Sequence, residues 1–102
     1  MTGYRRYAVN LMRKLLRGYR IYFSGDVLNS DGRRIFEDIV RSMIYSKEYH
    51  PGLIRQARRN PCLDNILKIA RILLSEHEIE EIIQTSIEGP VQNSYWRFLE
   101  RE

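Results

Sequence analysis

One cysteine, Cys62, is all that this chain of 102 residues has. No internal disulfide can form, which favours a reducing setting. Long apolar runs are missing as well. None approaches the roughly 18 residues of a membrane span, so no membrane association is expected. The opening MTGYRRYAVN has charge but no apolar run behind it, so it does not read as a secretory signal. Acidic residues are missing from positions 1–25, where Arg5, Arg6, Arg13, Lys14, Arg17 and Arg20 give a charge of +6. Basic residues are missing from positions 75–90, where Glu76, Glu78, Glu80, Glu81 and Glu88 give −5. This asymmetry permits an anionic partner for the first segment. It equally permits the two segments to pair, within one chain or head-to-tail in a homo-oligomer. Motifs are scarce too: no phosphate-binding loop, dinucleotide glycine pattern or paired-carboxylate motif occurs.

What remains is the composition of a folded protein. Hydrophobic residues make up 43% and charged residues 29%, which excludes disorder. The length fits one domain over 1–102 with a modest core, too small to enclose a large active-site cavity.

The apolar residues repeat with a helical period. Tyr4, Tyr7, Ala8, Leu11, Met12, Leu15, Leu16, Tyr19, Tyr22 and Phe23 form one stripe and predict a helix over roughly 4–23. Gly18 weakens it, and Gly25 reads as a left-handed stop. Asn29 or Ser30 caps a second helix that runs to about Lys47, with Ile35, Phe36, Ile39, Val40, Met43 and Ile44 inward. His50 and Pro51 open a short third helix. Asn60 and Pro61 repeat that signal before a fourth, whose Ile66, Leu67, Ile69, Ala70, Leu73 and Leu74 make it the expected central helix. Ser75 with Glu78 reads as a capping box for a fifth helix or a bent continuation. Gly89 and Pro90 end it, and Asn93 or Ser94 caps a last helix bearing Trp96, Phe98 and Leu99.

The punctuation is written twice. GDVLNSDGR at 25–33 returns as GPVQNSYWR at 89–97, with Gly, Val, Asn, Ser and Arg in the same places. Upstream, Arg13, Leu15, Leu16 and Ile21 match Arg71, Leu73, Leu74 and Ile79 at an offset of 58, against 64 for the turns. The expected fold is therefore all-α: two similar helical hairpin units, roughly 8–47 and 66–102, packed around one core as a pseudo-two-fold internal repeat. A generic helical hairpin would use the same punctuation, so the match specifies architecture and not chemistry.

Two such units leave a groove between them, where a peptide can dock. Its walls are expected from Tyr19 and Tyr22 on one side and Ile82, Ile83 and Ile87 on the other, with Glu80 at the rim to select a basic segment. The alternative is nucleic acid. It has two candidate surfaces: the first helix, with Arg5, Arg6, Arg13, Lys14, Arg17 and Arg20, and the short third helix, with Arg55, Arg58 and Arg59 beside Gln56. The turn SKEYHPG is long for a DNA-reading helix–turn–helix, and a basic face is also an ordinary solvated face. Tyrosines at helical spacing usually belong to a core. If Tyr4, Tyr7 or Trp96 is exposed, each becomes a contact anchor.

Catalysis has little to work with. His50 and His77 are the only histidines; His77 and Glu81 stand four apart but lack a third ligand. Cys62 follows Pro61 at a helix start and reads as a packing residue. No enzyme activity, metal or cofactor is expected. Arginine outnumbers lysine 14 to 3, isoleucine and tyrosine abound and alanine is scarce. With the length and the doubled GxVxNSxxR punctuation, this resembles the small proteins of filamentous viruses of hyperthermophilic archaea, such as the Acidianus filamentous viruses. The resemblance implies a host-cytoplasmic setting and supplies no catalytic residues.

Overall fold

The computed structural model describes residues 2–88. The second punctuation copy and the expected last helix with Trp96 lie outside the described residues. Within them the chain is 78% helix, in six α-helices and one π-helical turn. None of these is long and apolar enough to cross a membrane.

The first stripe folds as expected up to Gly18. Helix α1 is Thr2–Arg17, and Ala8, Met12, Leu15 and Leu16 on its inner face are fully buried. The chain then breaks and resumes as a single turn, α2, Tyr19–Tyr22. The expected continuous helix over 4–23 is thus corrected. At Gly18 the backbone leaves helical geometry (φ −94°, ψ 32°), and the Tyr22 ring lies 2.6 Å from where a Cβ would stand. Only glycine leaves room for that ring.

A short hairpin follows where more helix punctuation was expected. β1, Phe23–Ser24, pairs antiparallel with β2, Val27–Leu28. Gly25 is the first residue of the two-residue turn, with φ +68°, a conformation that favours glycine in hairpin turns of this class. It turns a hairpin rather than stopping a helix. Strands of two residues show no alternation in a sequence, so period alone does not reveal them. The hairpin is extended by the segment around Cys62: the Leu28 amide donates to Pro61 O at 3.0 Å and the Leu63 amide to Asp26 O at 2.8 Å. Pro61 therefore sits in an extended strip before the next helix, not at its first turn.

Asn29 joins the hairpin to α3, Ser30–Tyr45. Its side-chain oxygen accepts the Gly32 amide at 2.9 Å, while its Nδ2 donates to Ile21 O at 2.8 Å. The Tyr22 carbonyl passes 2.4 Å from where a Gly32 Cβ would stand, so α3 starts in close contact with α2. α3 ends with Lys47 at φ 66°, where the Lys47 amide donates to Ile44 O at 3.1 Å and the Glu48 amide to Met43 O at 2.8 Å. This is the Schellman arrangement, with lysine where glycine is usual.

Pro51 opens α4, Pro51–Arg59, at its first helical position, as its fixed φ favours. α5, Leu63–Leu73, buries Ile66, Leu67, Ile69, Ala70 and Leu73 and packs against α1, α4 and α6. α6 is Glu76–Ile82, capped by Ser75, whose Oγ accepts the Glu78 amide at 3.1 Å. Ile83–Ile87 continue it as a π-helical turn. α1 and α3 form the most extensive helix pair, and their buried side chains share one core with α4, α5 and α6.

The residues matched between the two proposed units correspond in part. Leu15 and Leu16 are buried like Leu73 and Leu74, but Ile21 is 66% exposed where its counterpart Ile79 is 1%. The six extra residues of the second copy fall between Ile79 and Gly89, in the end of α6 and the π-helical turn, and the counterpart of the first copy's hairpin turn lies outside the described residues.

Candidate functional site

The two oppositely charged segments meet within the chain. Arg13 Nε donates to Glu78 Oε2 at 2.6 Å and its Nη2 to Oε1 at 3.2 Å, and Arg17 lies 3.9 Å from the same carboxylate. This bidentate bond holds the Glu78 carboxyl below its ordinary pKa and raises that of Arg13. The Glu78 side chain is thereby drawn to α1 and does not close the capping box. Arg5 is paired with Glu48. The first helix is therefore less of a bare basic face than its sequence suggests.

On α4 the arginines part company. Arg58 makes two bonds to Glu37 of α3, at 3.0 and 2.7 Å, and leaves the cluster. This bonding raises the Arg58 pKa. Arg55 and Arg59 face the other way, into a depression of about 390 Å³ with Gly52, Gln56, Asn60 and Asn65. Asn65, only 7% exposed, donates its Nδ2 to Asn60 O at 2.8 Å and fixes the floor. Among the described residues Arg6, Lys14, Arg20, Arg55 and Arg59 have no ion-pair partner.

The expected groove walls do come together, since α1 and α2 both touch the π-helical turn. Tyr19, Tyr22 and Ile83 are partly buried against the core, and Ile87 is half-buried. Tyr19 donates its hydroxyl to Asp26, which raises its pKa, and its ring packs 4.9 Å from that of Phe23. Ile82 is 1% exposed and belongs to the core, so it offers no surface to a bound segment. Glu80 is exposed at the edge.

A separate aromatic groove was only partly foreseen. Tyr4 and Tyr7 are 45% and 52% exposed, and Tyr45 of α3 is 57%. The rings of Tyr4 and Tyr45 stand 5.0 Å apart, and with Asp38, Arg41 and Ser42 these tyrosines line a groove of about 180 Å³. Tyr45 gave no signal of its own, being one residue beyond the expected inward stripe of its helix, whose last member, Ile44, is itself 46% exposed.

No three acid, histidine or cysteine side chains among the described residues converge to hold a metal. His77 and Glu81 are both exposed on α6, and Cys62 is half-buried at the start of α5. Comparison with protein-family models, curated proteins and solved structures finds no match to this chain.

Proposed function

We propose that this protein is a non-catalytic protein–protein interaction module that accepts a segment of a partner in the seam between α1–α2 and the π-helical turn. The observation that carries this reading is the turn itself. Ile83–Ile87 widen the end of α6 beside Tyr19 and Tyr22, leaving apolar side chains half-covered. π-helical turns are rare and recur at functional sites. The exposed Glu80 and Glu81 of α6 and Glu88 just past the π-helical turn favour a segment with basic residues flanking an apolar anchor. In this reading the two walls belong to the two units of the internal repeat, and the resemblance to small proteins of archaeal filamentous viruses supports a place in the host cytoplasm.

The test is selection from a random peptide library, followed by calorimetry. Enriched peptides should combine basic and apolar residues. Glu80→Lys should weaken them several-fold at low salt with little change at high salt. Tyr19→Ala should weaken the peptide more than it lowers stability. Peptides that bind Glu80→Lys and Tyr19→Ala as well as the parent protein would overturn the seam.

A further inference from the structure

The geometry points to a second binding site, independent of the seam: the depression between α4 and α5 takes the phosphodiester backbone of a nucleic acid. The argument begins with the sequence of α4, PGLIRQARR, which contains no acid. Ile54 and Ala57 are buried, so the helix must direct its polar face outward. Arg55 and Arg59 are four apart, which sets their side chains about 6 Å apart on one face. Neither meets a carboxylate among the described residues, although Arg58 between them meets Glu37. The fold thus neutralises the arginine that faces α3 and leaves the two that face outward.

Their surroundings suit a phosphate chain. Gln56 and Asn60 add side-chain amides to the two guanidinium groups, and Asn65 holds the Asn60 carbonyl from below. A Cβ at Gly52 would meet no atom within 4 Å, so the rim there is open to close approach. Asp64, on the first turn of α5, is exposed and does not line the depression. Guanidinium forks with amide donors recognise phosphate oxygens by direct hydrogen bonds. α1 is the poorer candidate for the same ligand. Its Arg5, Arg13 and Arg17 answer to Glu48 and Glu78, so the basic segment with the larger formal charge offers less organised positive surface.

Two double variants with the same charge change separate this site from general attraction. Arg55→Gln with Arg59→Gln removes the depression's cations. Arg6→Gln with Lys14→Gln removes as much charge from α1. All four side chains are exposed, so circular dichroism should remain that of the parent. Binding of short duplex DNA, single-stranded DNA and polyglutamate is followed by fluorescence anisotropy across a salt series. The α4 pair should weaken nucleic acid about tenfold or more at low salt and lower the log–log salt slope by about two, one for each lost phosphate contact. The α1 pair should stay within about threefold. Duplex and single strand then show which form the depression prefers. The proposal is overturned if neither nucleic acid binds, if the two pairs lose affinity equally, or if polyglutamate binds as tightly as nucleic acid.

Discussion

α1 carries Arg5, Arg6, Arg13 and Arg17, and α4 carries Arg55, Arg58 and Arg59. Both are amphipathic helices without an acid in their first turn. In α1 the inner face is the heart of the core, and three of the four arginines are within ion-pair distance of carboxylates from distant parts of the chain. α4 is shorter, buries fully only Ile54 and Ala57, and spends one arginine on Glu37. The difference shows that a run of positive charge is not yet a surface for an anion. What decides is where the fold brings its acids. Glu78 stands 65 residues from Arg13 in sequence and reaches it because α6 returns along α1.

The largest effect should separate the two helices by burial. Leu15→Ala on α1 removes a side chain with no exposure and should cost about 3 kcal/mol. Leu53→Ala on α4 trims a half-buried one and should cost about 1 kcal/mol. Denaturant midpoints at unchanged slope give both values. Equal losses would break the contrast between a core helix and an edge helix.

Burial of this kind was legible in the sequence, and so were the caps. Asn29 and Ser75 act on amides only a few residues away, so the local pattern carries the information. The break at Gly18 was not legible, because the apolar stripe runs through it without a missed step. The break lays the Tyr22 ring over Gly18, a contact that only the folded turn creates. The hairpin was hidden for a similar reason, since part of its pairing comes from the segment at Pro61–Leu63. The depression on α4 needed Asn65, which belongs to the next helix. A stripe on one helix can predict which face turns inward, but not what another element adds to the outward face.

An intermediate effect should come from Glu78→Gln. The bond to Arg13 keeps this carboxyl charged to lower pH than an ordinary glutamate. Its contribution is therefore complete above the unfolded pKa, about 4.3, and is lost as pH falls through the lower folded value. At neutral pH the variant should lose up to about 1 kcal/mol, the range for a partly exposed pair. In an acid titration it should show a shallower fall in stability below about pH 4.3 than the parent. The same change frees Arg13 and Arg17, so it should raise the affinity of α1 for a polyanion at low salt. If neither the acid limb nor the polyanion affinity moves, Glu78 does not neutralise α1.

The smallest effect is the sharpest on α4. Arg55 and Arg59 repel each other across one helical turn, and the chain gains no ion pair from Arg55 among the described residues. Arg59 also lies in the last turn, where positive charge favours the helix dipole, so its removal mixes two opposing effects. Arg55→Gln is cleaner. Glutamine is about as good a helix former as arginine, and the position is solvent-exposed. Stability should therefore rise by about 0.3 kcal/mol at low salt and return to that of the parent at high salt, as screening removes the repulsion. A side chain held for the fold would respond in the opposite sense, and a loss of about 1 kcal/mol would mean that Arg55 serves the structure. A small gain that disappears with salt would leave Arg55 as a charge the fold tolerates at a slight cost, which is the behaviour expected of a group kept for a ligand.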